Sequence, residues 1–293
     1  MEILNTLYNL MGLIFVLGTI VSMGLGLTIA QITGPLRNIR FVIMALLANF
    51  VVVPVTAYIL TLVFSLDEAL VTGLILVSLA AGAPGLPKMA EFARLDTAAA
   101  TGLMMLLVVV TIIIMPIVVP LVATGVSVTF WDIASGLILL ILVPLALSLF
   151  VRARWESFAA TVQPYFTQAS SFSLLALMVL MVVLNFKNVI NLFGSGGLLT
   201  SLILVILSAV GGYLLGALGG SNKWVQALGA GQRNIAAAMV VATMNFGNQE
   251  IVMVVVYSLI TLIVMTPLAL ELGKRRAKAA EAEGETDAAT GSV

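Results

Sequence analysis

The sequence predicts an all-α integral membrane protein with about nine transmembrane helices. Of its 293 residues, 61% are apolar and only 9% are charged, whereas about a quarter of the residues in an ordinary soluble domain are charged. So few charges cannot cover the surface of a soluble protein of this size. The alternation of polar and apolar residues that marks an outer-membrane barrel is also missing from the sequence.

The transmembrane helices are predicted from the length of the apolar stretches, because a spanning helix needs about 20 mostly apolar residues. Nine such stretches predict a multi-pass protein of the inner (plasma) membrane. They lie near residues 5–30, 41–65, 69–93, 97–123, 130–151, 165–186, 198–220, 224–246 and 249–272.

The basic residues predict the orientation. Nine spans place all but two of the 13 Lys and Arg residues on one side; Lys187 lies on the other side, and Arg233 lies inside the eighth span. The positive-inside rule then places the N-terminus outside and the C-terminus in the cytoplasm. Residues 273–293 have no apolar face, and we expect them to form a disordered cytoplasmic tail.

Two of the spans are interrupted. The third contains the run AGAPGLP at 81–87 and the eighth contains LGAGQRN at 228–234, and such Gly- and Pro-rich runs disfavour a continuous helix. The predicted orientation makes these two spans antiparallel. Paired breaks in inverted halves point to a transporter binding site, although Gly and Pro also occur in ordinary kinked membrane helices. We therefore expect one repeat at 1–123 and a second at 130–272.

The breaks are followed by two cations, Lys88 and Arg233. Together with the partial positive charge of a helix N-terminus, they predict a site for an anionic group. Lys88 alternatively reaches the membrane surface, and Arg233 alternatively forms a structural ion pair, for which Glu91 is the nearest candidate and also the first candidate for proton coupling. The candidate substrate-binding residues are Gly85, Leu86, Pro87, Lys88, Gln232, Arg233 and Asn234.

Composition narrows the function further. The chain has no histidine and no cysteine, which excludes imidazole bases, thiol nucleophiles and the usual zinc ligands. We therefore expect that the protein has no enzymatic activity, no metal site and no cofactor. The net charge is zero, so no long-range electrostatic field would attract a nucleic acid. An anion channel is a remote alternative, since a channel would need a continuous polar file, whereas the polar residues here cluster at the two breaks. The expected partners are a small organic anion and the lipid bilayer; the substrate, the coupling ion and the oligomeric state stay open.

Asn49, inside the second span, is expected to form an interhelical hydrogen bond.

Several short motifs occur in a family-like order: MGLGL at 23–27, APG at 83–85, GQRN at 231–234, and FG at 246–247 followed by VVVY at 254–257. With these motifs the chain resembles the bile acid:sodium symporter family. The resemblance implies two inverted repeats arranged as a panel domain and a core domain. It also implies two broken helices that cross in the core, and a substrate carried between the domains by alternating access. The chain resembles the nine-helix form, which lacks the first family helix.

The sequence departs from the family pattern at the sodium ligands. Where the family has a Ser-Asn pair after the first break, this chain has LPKM at 86–89, and Gly229 and Arg233 replace the Glu and Gln of the second break. Residues 98–105 offer only Thr101 as a hydroxyl, whereas hard cations need several oxygen ligands. We hypothesise that Lys88 and Arg233 replace the bound sodium ions; the alternative is a conventional sodium-coupled symporter with sites built from backbone oxygens.

Overall fold

The structure is a computed structural model that describes residues 2–28, 30, 37–122, 127–184, 195–220 and 222–290. Every regular element within these ranges is a helix. The helices are α1 (Glu2–Gly26), α2 (Ile39–Val63), α3 (Glu68–Leu79), α4 (Leu86–Phe92), α5 (Thr97–Val122), α6 (Phe130–Arg154), α7 (Glu156–Leu184), α8 (Gly197–Leu218), α9 (Lys223–Gly231), α10 (Ile235–Asn245) and α11 (Asn248–Thr290).

Six of the helices in the described ranges are long and apolar enough to cross a membrane: α1, α2, α5, α6, α8 and α11. This confirms the predicted class, a helical multi-pass membrane protein. The start of α7 differs clearly from the prediction, because this helix begins at Glu156 rather than near 165. The amphipathic start of α7 is too polar to be recognised as part of an apolar span, although it continues the same helix.

Side chains cap the N-termini of α2 and α6, as Asp96 does for α5 by accepting from the Ala99 N–H at 2.9 Å. The Asn38 side chain accepts a hydrogen bond from the Phe41 N–H at the start of α2. At the start of α6, Thr129 and Asp132 form a reciprocal capping box. Such caps satisfy N–H groups that have no partner inside the helix. Asn38 and Thr129, which precede the apolar stretches, therefore define where α2 and α6 start.

Helices α1, α6 and α7 form one packed unit, here called the three-helix group. Thr19 and Ser170 share a hydrogen bond between α1 and α7, and one turn away Ser22 and Thr167 do so at 2.6 Å. A Cβ atom at Gly24 would lie 1.9 Å from the Ser148 hydroxyl of α6. Small residues and hydroxyl pairs of this kind allow membrane helices to approach closely, so these contacts hold the three helices together.

The other helices form the main bundle around α3, α9 and α11. A Cβ atom at Gly73 of α3 would lie 2.6 Å from the Met253 side chain of α11. Helix α8 packs along α9, because a Cβ atom at Gly212 would lie 2.5 Å from the Gln226 carbonyl. The spans predicted to be interrupted are interrupted here, as α3 then α4 and as α9 then α10. Gly82 has a φ of +84°, a conformation that glycine adopts without the steric cost of a side chain.

Most basic residues gather at one end of the fold, here called the basic end. The Gln226 side chain of α9 donates to the Phe41 carbonyl at the start of α2, at 3.2 Å. A Cβ atom at Gly273 of α11 would lie 2.0 Å from the Phe92 carbonyl at the end of α4. These two contacts join α9 to α2 and α11 to α4 near their basic termini. Those termini carry Arg37, Arg40, Lys88, Arg94, Lys223, Lys274, Arg275, Arg276 and Lys278.

The last helix is longer than predicted. Helix α11 continues through Thr290, whereas the sequence analysis expects disorder from residue 273. Ala, Glu and Lys dominate this segment, and they are among the strongest helix formers. Glu271 and Arg275 also form an i,i+4 ion pair at 2.7 Å. The absence of an apolar face therefore did not prevent a helix from forming.

The Gly212 contact predicts a stability change. Gly212→Ala should lower the thermal unfolding midpoint in detergent, because the added methyl group overpacks the α8–α9 contact at a cost of about 1–3 kcal/mol. Gly85→Ala is the matched control, since no atom lies within 4 Å of its Cβ position. An unfolding midpoint for Gly212→Ala equal to that of the control would show that α8 and α9 do not pack this closely.

Candidate functional site

The two unwound segments lie against each other at a crossing. The Asn234 N–H donates to the Ala80 carbonyl at 2.7 Å, and the Asn234 side chain caps α10 by accepting from the Ala237 N–H at 3.1 Å. On the other side, Ala81 exchanges two hydrogen bonds with the Thr111 hydroxyl of α5, at 3.0 and 3.1 Å. Unwound backbone is tolerated at membrane depth only when protein or water satisfies it; at this crossing the protein supplies the partners.

Arg233 lies at the centre of this crossing and is 2% exposed. Its Nε donates to the Val77 carbonyl at 3.1 Å, and one Nη donates to the Asn49 side-chain oxygen at 2.8 Å. The other Nη donates to the backbone carbonyls of Asn49, at 3.4 Å, and of Ser78. Val77 and Ser78 belong to the last turn of α3, which carries the negative end of the helix dipole. The Val77 carbonyl also accepts a bifurcated bond from the Ala80 N–H at 3.2 Å. The guanidinium therefore binds where a cation is most favoured.

Local geometry in α2 makes one of these acceptors available. Residues Ala48–Val52 form a π-helical turn, in which each N–H bonds to the carbonyl five residues earlier; the Val53 N–H follows this pattern. The next donor to the Asn49 carbonyl would be Pro54, which has no N–H. The Asn49 carbonyl is therefore left for Arg233, and the expected interhelical hydrogen bond of Asn49 is formed by its side chain.

Arg233 carries a charge that no carboxylate balances in the part of the chain that the structure describes. Glu91 pairs with Lys88 instead, at 2.9 Å, and these two side chains are 61% and 57% exposed. The Lys88 ammonium also lies 5.1 Å from the centre of the Phe92 ring. The structure thus separates the two cations that were expected to form one locus. Lys88 lies on the exposed face of α4, which has only seven residues. The side chain therefore lies at the basic end.

The other predicted site residues divide between the crossing and its rim. Gln232 and Asn234 are buried beside Arg233, and the Gln232 Oε1 and Asn234 Nδ2 atoms have no hydrogen-bond partner among the described residues. Leu86 is also buried, and its side chain packs where a Cβ atom of Gly229 would lie. Gly85 is exposed and Pro87 is half-buried. The crossing therefore brings together the second-break residues and Leu86.

A cavity of about 300 Å³ lies between the three-helix group and α10. Its polar groups come from Tyr8, Asn9 and Thr243. These three residues are not predictable from the sequence, because a single polar residue in an apolar span gives no pattern. Val240 of the cavity lies about 8 Å along the axis of α10 from the start of that helix at the crossing. The cavity is lined by Tyr8, Asn9, Gly12, Leu13, Val16, Leu140, Leu177, Met239, Val240 and Thr243.

This architecture defines a class: a helical multi-pass membrane protein with two broken helices that meet at a buried charge, a feature typical of secondary transporters. Residues 10–192 match the sequence profile of the Sodium Bile acid symporter family. The match covers more than half of the chain, and the chain belongs to this transporter family. No curated protein matches the chain. The family is a family of transporters and not of enzymes.

Asn49 offers a test of the Arg233 contacts. Asn49→Leu keeps the side-chain size but removes the 2.8 Å acceptor, and hydrogen bonds to charged groups contribute about 1.5–3 kcal/mol. We expect a lower unfolding midpoint in detergent. Thr56→Val is the control, because the Thr56 hydroxyl bonds only to the Val52 carbonyl of its own helix. Equal midpoints for the two variants would argue that the Asn49 contact contributes nothing.

Proposed function

We propose that this protein is a secondary transporter that moves a small organic anion by alternating access without binding sodium at the crossing. The proposal includes two inverted repeats, an N-terminus outside and a C-terminus in the cytoplasm. The observation that carries it is the buried Arg233 guanidinium, which occupies the carbonyl oxygens at the end of α3 and in the π-helical turn of α2.

The argument against sodium at this position is electrostatic. In secondary transporters, unwound carbonyls and the C-terminal ends of half-helices coordinate the coupling cation. Here Arg233 takes those oxygens. A sodium ion about 4 Å from the guanidinium would be repelled by about 4 kcal/mol at an effective dielectric constant of 20, which is roughly a thousandfold in affinity. The exposed, paired Lys88 has no part in this effect, so the proposal now rests on Arg233 alone.

The cavity supports a small anionic substrate. Its volume of about 300 Å³ lies at the lower end of the range for small-molecule sites, about 300–1,000 Å³. The cavity begins about 8 Å along α10 from the crossing, and a charge roughly 10 Å from a carboxylate attracts it by about 1.7 kcal/mol at the same dielectric constant. The cavity also lies between the three-helix group and α10. Movement of that group against α10 would therefore expose the cavity to either side in turn.

A conventional sodium-coupled symporter for bile-acid-like substrates is the second candidate. The family match favours it, because the family is named for sodium and bile acids. It would require sodium sites built mainly from backbone oxygens away from Arg233.

Removing the Arg233 guanidinium should make the thermal stability of the protein depend on sodium, whereas the stability of the unmodified protein should not. In Arg233→Ala, three backbone carbonyls and the Asn49 side-chain oxygen lose their donor, and these are ligands of the kind that hard cations bind. We expect a large fall in the unfolding midpoint, partly reversed when N-methyl-D-glucamine chloride is replaced by sodium chloride at equal concentration. The unmodified protein should show no difference between the two salts.

Arg233→Lys is the matched control for charge. It keeps the cation while losing the planar guanidinium geometry, so we expect lower stability without any response to sodium. A sodium-dependent rise in the unfolding midpoint of the unmodified protein, which ligand linkage would produce at any occupied site, would favour the sodium-coupled candidate and overturn the proposal.

The size of the cavity predicts a substrate preference. In a thermal-shift assay, 2-ketoisovalerate or benzoate should raise the unfolding midpoint, since a ligand at a hundred times its Kd stabilises the folded state by about 2.7 kcal/mol. Taurocholate should not. Asn9→Leu should abolish the shift, whereas Asn245→Leu, on α10 outside the cavity lining, should retain it. A shift with taurocholate alone would contradict a small-anion cavity.

A further inference from the structure

A second concavity lies on the outer surface of the main bundle, away from the cavity between the three-helix group and α10. This groove has a volume of about 520 Å³ and is lined by α8, α9 and α11. Its floor includes Met265, which packs where a Cβ atom of Gly231 would lie, so it backs onto the end of α9. The lining residues are Ile206, Ala209, Val210, Tyr213, Trp224, Ala227, Val264, Met265 and Leu268.

The groove is apolar along its length, and its orientation follows the helices. From Ile206 to Tyr213 it extends for about 10 Å along α8, toward the basic end of the fold. Ile206 and Val210 are exposed, so the groove opens outward to where the bilayer surrounds a membrane protein. A hydrocarbon chain that lies parallel to the helices has the shape and polarity of this groove.

Aromatic and basic side chains close the groove at the basic end. The Tyr213 and Trp224 rings meet edge to face, 4.6 Å between centres. The Lys223 ammonium lies over the Tyr213 ring, 5.1 Å from its centre. Lys223 is exposed and forms no ion pair among the described residues. The lysine is therefore positioned at the mouth of the groove with its charge unneutralised.

Neighbouring chain segments add positive charge at the same end. Gln226, one turn after Lys223, donates to the Phe41 carbonyl, which places Arg40 near this end of α9. On α11, the segment KRRAK at 274–278 begins six residues after the groove residue Leu268. Among these helix termini, the Arg275 side chain pairs with Glu271. The net charge around the mouth of the groove is thus positive.

We propose that this groove is a binding site for an anionic phospholipid, with an acyl chain along α8 and the phosphate at Lys223. The charge complementarity selects the headgroup, because a basic residue near a membrane surface attracts anionic lipids, and the apolar lining selects the chain. The aromatic pair lies at the level between them, where tyrosine and tryptophan are enriched in membrane proteins. The proposal does not depend on the transported substrate or on the coupling ion.

Trp224 provides a direct probe of this site. The chain has three tryptophans, so Trp131→Phe with Trp155→Phe leaves Trp224 alone in the groove. The variant is reconstituted in vesicles of phosphatidylcholine, and fluorescence quenching is measured with brominated phosphatidylglycerol or brominated phosphatidylcholine. We expect brominated phosphatidylglycerol to bind about three- to fivefold more tightly, the size of effect expected of one lysine near a lipid phosphate.

Two controls separate a site from general surface attraction. Lys223→Gln in the Trp224-only background should bring the ratio to about one, whereas Arg154→Gln, at the end of α6, should leave it unchanged. A second background that retains Trp155 alone, next to Arg154 but outside the groove, should show a ratio near one. Equal quenching of Trp224 by the two lipids, an unchanged ratio in Lys223→Gln, or the same preference at Trp155 would overturn the proposal.

Discussion

The rest of the crossing depends on one interaction, the placement of the Arg233 guanidinium on carbonyl oxygens of α2 and α3. Two interrupted helices expose unpaired backbone groups, and in a membrane such groups must find partners within the protein. Arg233 supplies donors to the end of α3, while its neighbour Asn234 donates to Ala80 and caps α10. Two consecutive residues of the second break therefore satisfy the first break, and each break stabilises the other.

Proline contributes to this arrangement at a distance from the breaks. In α2 a π-helical turn is followed by Pro54, and the carbonyl that would have bonded to its N–H receives Arg233 instead. Helix α6 repeats the device, with a π-helical turn at Ile138–Leu142 followed by Pro144. Leu140 of that turn lines the cavity beside the three-helix group. Both π-helical turns thus occur where a helix meets one of the two candidate functional regions.

The sequence was sufficient to predict the helical membrane class and both interruptions, because glycine and proline act locally on the backbone. It was also sufficient to single out Arg233, since a cation inside an apolar span is costly. It was not sufficient for Lys88, because its environment depends on which face of the short helix α4 is covered. Asn9 and Thr243 are far apart in the chain and meet only after the three-helix group packs against α10. A disordered tail is predicted after residue 273 because this segment has no apolar face, although its Ala, Glu and Lys residues also favour a helix.

A tethered cation changes the energetics of a transport cycle in a way that a bound ion does not. A coupling ion gives energy to transport because it enters from one side and leaves to the other, so its site is charged in some states and empty in others. The guanidinium of Arg233 cannot leave, and the crossing keeps its charge in every conformation. In the proposed transport cycle, its contribution would be an attraction for an anion that is present in both the inward-facing and the outward-facing states. If the crossing works in this way, the driving force for net transport has to come from the substrate gradient, from an exchanged anion or from a proton that binds elsewhere.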